Sequence, residues 1–404
     1  MRYSPVHHYL VIFLLVLSGC SAMPMHRPVP EEKLEQAALT GYPPSIRFWA
    51  DEAPPDILPR IRQRLSAYRE ANHDFFLRHG HYPPLHYLAI SGGAYDGAFA
   101  AGLLSGWNDS GRRPDFALVT GVSAGALIAP FVFAGAHHDH QLRDLFTRSD
   151  SSAIFETSMA QVIDGLTGGL AVTNSAPLAQ KIQQNITPEL MQEIAARHRA
   201  GRRLFIGTTN LEAQRGVIWD IGEIANSGNL GSLALIHRIM LASASVPGLF
   251  EPVFFDVQAG NERFTEIHTD GGVTAHVFMY PLRIQRSVID EFERYSLQRH
   301  LYVIRNSKVT PEYEALDPGL FSLSRRSIET LTKYHSIGDL YRLYVGAQRD
   351  GVDYNLAVIP ASFNVRPHEL FDPAYMSALF EVGYRMGEKP DPWQKKPPGA
   401  DYVK

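Results

Sequence analysis

The sequence predicts an α/β fold in which a mostly parallel central sheet is flanked by helices. Three observations carry this. Residues from Leu85 onward follow the order strand, loop, helix, strand, turn, helix, which suits parallel strands joined by helical crossovers. The strand segments are short apolar runs, partly β-branched, as in Phe116-Ala-Leu-Val-Thr120. The chain has 404 residues, 45% of them hydrophobic, enough for one large core or a core with appendages.

The N-terminal stretch reads as a targeting segment. Arg2 and two histidines precede an apolar run, Tyr9 to Leu17, too short to span a bilayer as a stable helix. It fits the apolar region of a secretory signal peptide over residues 1–19. The run ends in Leu17-Ser18-Gly19-Cys20, which resembles the lipobox of bacterial lipoproteins. That resemblance implies cleavage before Cys20, then a diacylglyceryl group and an N-acyl chain on it. About two acyl chains suffice for stable membrane anchoring. Cys20 is the only cysteine, so no internal disulfide is possible. Ser21 in place of an aspartate implies sorting to the outer membrane. The expected address is therefore the bacterial cell envelope, lipid-anchored at Cys20.

Residues 20–57 are rich in proline and read as a tether. Residues 58–84 form an N-terminal helical segment: Ile61, Leu65, Tyr68 and Phe75–Phe76 recur at helical spacing among five arginines, a solvated face or one touching anionic lipid. The main domain is expected over residues 85–387. Its strands are expected at His86–Ile90, Asp115–Thr120, Arg203–Thr209, Gly216–Asp220, Phe250–Val257, Phe264–His268, Leu301–Arg305 and, as an edge strand, Tyr354–Ile359. Its helices are expected at Ala98–Trp107, after Ser123, across much of 140–200, and at Leu233–Ala244, Ser324–Arg349 and Pro373–Gly387. The small residues Ala98, Ala100, Ala101 and Gly102 would let their helix lie close to the sheet or to the helix after Ser123. Residues 388–404 read as a loose tail. No internal repeat or low-complexity block is present.

The chemistry centres on Gly121-Val122-Ser123-Ala124-Gly125, a G-x-S-x-G between strand and helix. A serine on such a sharp turn is pushed out of the sheet top, with Gly121 and Gly125 giving room for the turn and a substrate. A serine nucleophile needs a base and donors for the developing oxyanion. Successive N–H groups of the loop Ser91–Gly97 supply donors, with Gly92, Gly93 and Ala94 as the candidates. The loop lacks the Lys-Ser/Thr ending that a phosphate-binding loop requires. Ten histidines follow the serine, and none is marked out by its setting. Asp270, in Asp270-Gly271-Gly272 after a short strand, is the better candidate base. Taken alone, this triplet is also an ordinary turn. A net charge of −4 gives no reason to expect nucleic acid as a partner. No metal cluster is evident, and no cofactor is expected.

Together these segments resemble the patatin-like phospholipase family. From Leu85 to Gly272 the chain carries, in order, the glycine-rich loop, the G-x-S-x-G turn and the Asp-Gly-Gly. Ile206–Arg215 and Ala242–Pro252 resemble two further family blocks. The resemblance implies a three-layer fold with Ser123 as nucleophile, Asp270 as base of a Ser–Asp dyad, and the Gly92–Ala94 backbone as oxyanion hole. It also implies an acyl-enzyme, a membrane lipid or other carboxylic ester as substrate, and no catalytic histidine. One departure stands out. The family loop usually reads Gly-Gly-Gly-x-Arg/Lys-Gly, whereas this chain has Ala94 and Asp96. Ala94 keeps its N–H, and Asp96 removes a positive charge from the expected substrate approach. The alternative expectation is a catalytically weak lipoprotein of this fold acting as a binding or scaffold module. A true triad, with a histidine such as His335 or His368, is a third.

Overall fold

Residues with apolar and β-branched side chains build nine strands: β1 Arg47–Trp49, β2 Leu85–Ile90, β3 Leu118–Gly121, β4 Arg203–Asn210, β5 Arg215–Asp220, β6 Val253–Ala259, β7 Glu262–Asp270, β8 Arg299–Arg305 and β9 Asp353–Val358. The computed structural model describes residues 26–148, 154, 170–171, 173–279, 290–292, 294–295 and 297–400. The signal segment and Cys20 lie outside the described residues. The helices are α1 Ile57–Ala71, α2 His73–His79, α3 Gly97–Asp109, α4 Ala124–Ala134, α5 Asp139–Thr147, α6 Ala176–Asn185, α7 Pro188–Arg199, α8 Ile221–Asn226, α9 Ser232–Ala244, α10 Leu320–Arg349 and α11 Pro373–Gly387.

The strands form one sheet in the order β1-β5-β4-β3-β2-β8-β9. Its centre, from β4 through β3, β2 and β8 to β9, is parallel. β1, β5, β6 and β7 join antiparallel. Central strands covered on both faces need continuous apolar runs. β3 is buried throughout, and the last three residues of β2 are buried. Local sequence starts several helices. Thr187 accepts the Leu190 N–H with Pro188 next, and Asp372 accepts the Ala374 and Tyr375 N–H groups with Pro373 next.

Four expectations need correction. From residue 26 the supposed tether belongs to the fold. Val29 packs with Val257 and Phe264, β1 pairs with β5, and Arg47 forms a buried ion pair with Glu266. The arginines of α1 are not a free basic face. Arg60 pairs with Asp56 and Glu223, Arg62 with Glu291, and Arg64 donates to the Gly201 carbonyl. Nor are residues 388–400 a loose tail. Gln394 bridges to Leu356 of β9, and the Trp393 ring lies 4.8 Å from Trp107 and 4.9 Å from Tyr302. Alternating proline and charge hid an aromatic anchor there. Finally, Gly102 of α3 makes its closest approach to α11 and not to the sheet or to α4, although Gly97 at the start of α3 does lie against Ala124 of α4. A Cβ on Gly102 would stand 2.0 Å from the Phe380 carbonyl oxygen, and one on Gly106 2.1 Å from that of Tyr384.

Candidate active site

Two parallel pairings set the upper side of the site. Ile90 at the end of β2 lies opposite Gly121 at the end of β3. The loop after β2 and the serine turn after β3 therefore leave the sheet side by side. Gly125 has to be glycine here, because a Cβ would stand 2.3 Å from the Ile90 carbonyl oxygen. Ser123 caps α4 with φ +54° and ψ −123°, a conformation that costs a non-glycine residue roughly 1–3 kcal/mol. Its N–H is taken by Ser243 Oγ at 3.1 Å, and Ser243 in turn donates to the Gly207 carbonyl at 2.7 Å. A serine on α9 thus pins the strained turn to β4.

The register of β4 brings Asp270 to the same place. β3 pairs with β4 up to Gly121 opposite Ile206. There β3 ends, and β7 takes over the same edge with Asp270 opposite Thr208. Two residues along a strand is about 7 Å, so Asp270 arrives where the chain has turned from Gly121 to Ser123. Its Oδ1 accepts the Gly272 N–H at 2.7 Å, and its backbone N–H donates to the Ser245 carbonyl at 2.9 Å. Oδ2 is buried without a well-formed hydrogen bond. Burial pushes the Asp270 carboxyl up to about 6, while hydrogen bonding from Ser123 and the Gly272 N–H acts in the opposite sense. Ser123 and Asp270 are thus neighbours whose contact is loose at rest, as is common before a substrate tightens it. Gly271 lies against β4, where a Cβ would stand 2.5 Å from the Gly207 carbonyl oxygen.

The glycine-rich loop corrects one expectation. The Gly92 N–H is already spent on the His276 carbonyl at 3.0 Å, so it is not a free donor. Among the described residues no acceptor takes the N–H of Gly93, Ala94 or Ala124. The first N–H groups of the helix after the serine were expected to point at it; Ala124 is the one left free, and the residue after a nucleophile in such an elbow commonly serves as a donor. Ala94 sits at φ +46°, on the left-handed side that glycine prefers. Gly93, at φ +153°, lies so near Asn306 that a Cβ would stand 2.5 Å from its carbonyl oxygen. The fully buried Asn306 holds the loop. Its Nδ2 donates to the Ser91 carbonyl at 2.9 Å and its Oδ1 accepts the Ala100 N–H at 3.1 Å.

Asp96 does not face the substrate approach. It accepts a hydrogen bond from the Tyr375 hydroxyl at 2.6 Å, and burial pushes it up to about 7. Histidine plays no part in the pair. Among the described residues no imidazole nitrogen hydrogen-bonds to Ser123 or Asp270. His276 packs beside Gly272, lowered to about 4 by burial, with His335 and Arg305 adding to the effect. His268 is held between Thr208 and Glu266.

Ser123 and Ala94 open on an apolar cavity that is open to solvent at its mouth. Leu127 and Phe131 of α4, Phe146 of α5, Ile182 of α6, and Leu249 and Phe250 after α9 form its walls. Such a space fits a hydrocarbon chain better than a charged group.

A family model described as patatin-like phospholipase matches residues 88–282. The chain carries a patatin-like phospholipase domain. β8 and β9 follow the matched segment, yet they complete the sheet of this patatin-like domain. Among solved structures the chain is similar to VipD from Legionella pneumophila, at 11% identity and a TM-score of 0.37, covering 76% of this chain and 66% of that one. It is also similar to human GIVD cytosolic phospholipase A2, solved with methyl γ-linolenyl fluorophosphonate, at 11% identity and a TM-score of 0.29, covering 85% of this chain and 63% of that one. No curated protein matches the chain.

Proposed function

We propose that this protein is a lipid acyl hydrolase that cleaves carboxylic esters through a Ser123–Asp270 dyad and an acyl-enzyme. The observation that carries this reading is the buried Asp270 carboxyl beside Ser123, its Oδ2 without a well-formed hydrogen bond, at the mouth of an apolar cavity. Asp270 accepts the Ser123 hydroxyl proton as Oγ attacks the ester carbonyl carbon. The N–H groups of Gly93, Ala94 and Ala124 receive the oxyanion. Collapse breaks the bond to the alcohol, which leaves with the proton from Asp270, and the acyl group stays on Ser123 in the cavity. Water then attacks the acyl-enzyme, giving its proton to Asp270, and fatty acid departs as Ser123 is re-protonated.

The substrate class is a membrane lipid or another long-chain ester, because the cavity walls are hydrocarbon. Anchoring through a lipidated Cys20, in the cell envelope at the outer membrane, belongs to the same proposal and rests on the lipobox-like Leu17–Cys20. Six residue steps separate Cys20 from His26, where the described fold begins. They reach at most about 21 Å, which would hold the start of the fold at His26 near a bilayer. Mass spectrometry of the mature N-terminal peptide tests the lipid on Cys20, and an unmodified peptide refutes it.

The hydrolase test is fatty-acid release from lipid extracts by wild-type, Ser123→Ala and Asp270→Asn proteins, with fluorophosphonate labelling in parallel. Loss of release in both variants, with labelling confined to Ser123, is expected. Full release by Ser123→Ala refutes the mechanism. Ala94 at positive φ favours a second reading, a binding or scaffold module with weak catalysis, which wild-type protein inert toward esters and fluorophosphonate would establish.

A further inference from the structure

The histidines that follow the serine include His137, His138 and His140, with nothing in their order to mark a ligand set. The fold supplies the missing partner from 55 residues away. Glu193, in the middle of α7, reaches the turn Ala136–His138 that follows α4. Its Oε2 lies 3.0 Å from His137 Nε2 and 3.0 Å from His138 Nε2. All three atoms fall within 4.8 Å of one another.

Three donor side chains from two elements converge here. The Gln141 amide oxygen accepts from His138 Nδ1–H, which turns the Nε2 of that ring toward Glu193. Between Nε2 and the carboxylate stands either a second ring proton or a metal ion, and the two compete for the same lone pair. A second hydrogen bond orients the neighbouring residue: His140 Nδ1–H donates to the His137 carbonyl at 2.9 Å. Arg197, one turn beyond Glu193, is held by Asp115 at 2.8 Å. The Gln141 contact on the His138 ring is an outer partner of the kind that fixes a metal-binding tautomer.

We infer that His137, His138 and Glu193 form a binding site for a divalent late transition metal, with Zn²⁺ the best match. Two imidazole nitrogens and one carboxylate oxygen suit that ion, which takes such ligands near 2.0–2.2 Å in tetrahedral geometry, and leave a fourth position for water. Ligands at those lengths stand about 3–3.5 Å apart from one another; the two Glu193–histidine separations of 3.0 Å are of that order, and the two imidazoles lie within 4.8 Å. The site is structural with respect to the ester chemistry. α4 spans Ala124–Ala134, so its far end is roughly 16 Å from Ser123 at 1.5 Å per residue. The His138 ring lies edge-on to Phe131, 6.0 Å away, and Phe131 lines the cavity. The metal clasps the end of the nucleophile helix to α7 and steadies that wall.

The test is Zn²⁺ binding by the full chain after chelator treatment and dialysis, titrated in competition with a chromogenic chelator. Wild-type protein is expected to take up one equivalent. His138→Gln is expected to bind at least about tenfold more weakly, and His137→Asn combined with Glu193→Gln to lose the site. His137 is exposed and Glu193 half-buried at the surface, so the double variant is expected to keep its fold, which circular dichroism verifies. Zn²⁺ should also raise the melting temperature of wild-type protein and not that of the double variant. Uptake that is equal in wild-type and double-variant proteins, or wild-type uptake well below one equivalent, overturns the assignment.

Discussion

The reactivity proposed for Ser123 depends on the protonation of one buried carboxyl. Burial holds Asp270 up at about 6, above its unfolded value of 3.8. Only the ionised form accepts the serine proton, so kcat/KM should fall about tenfold per pH unit below pH 6 and level off above it. A pH–rate profile with an inflection near 4, or a plateau down to pH 5, contradicts this assignment. Ala94 makes a second residue-scale prediction. Its φ of +46° suits glycine, so Ala94→Gly should raise stability by about 0.5–1 kcal/mol in urea unfolding. If strain also tilts the N–H donor, ester turnover rises with it. Residue identity made Ser123, Asp270 and the loop legible, because each stands in a short motif with its own turn chemistry. Ser243 and Asn306 were not legible. An ordinary serine on a helix and an asparagine after a strand declare nothing until the fold shows which N–H groups they hold.

At the scale of elements, glycine spacing governs how closely backbones approach. Gly102 and Gly106 of α3 meet Gly383 and Gly387 of α11, where an added Cβ would stand 2.3 Å and 2.2 Å from the carbonyl oxygens of Phe99 and Leu103. Neither helix can move without disturbing the other, and α3 begins at the loop that carries Gly93 and Ala94. Gly106→Val should therefore destabilise the fold by about 3 kcal/mol or more, beyond its effect on helix propensity. Chemical denaturation measures this, and a loss under about 1 kcal/mol would show that the helices can separate freely. The elements themselves were largely readable from apolar period and caps. Their partners were not, since four small residues on one helix do not say which surface they face.

The whole molecule is held by buried polar contacts as well as by its core. Glu266 on β7 is lowered to about 2: burial acts to raise it, but Arg47 and then His268 overcome that. Its folded value lies below the unfolded 4.5, so its contribution is fully present above about pH 4.5 and is lost as pH falls toward 2. The size is about 3 kcal/mol. Glu266→Gln should remove most of it at pH 7 and flatten the acid limb of the stability curve between pH 4.5 and 2. A variant with an unchanged acid limb would place the acid sensitivity elsewhere. This network ties the N-terminal residues 26–49 to the strand that ends in Asp270, which is why that stretch belongs to the domain.

Local order in the chain determined the α/β class, the serine turn, the acidic loop and the family resemblance, because each depends on neighbours within a few residues. Three things were decided only in three dimensions. The hand-over from β3 to β7 along β4 sets Asp270 beside Ser123. The bond from Gly92 to His276 removes one of the expected donors. The packing of Trp393 turns an apparent tail into part of the core. The physical reason is common to all three: strand register, hydrogen-bond competition and side-chain docking join residues far apart in the chain, and no local pattern records which distant partner each will meet.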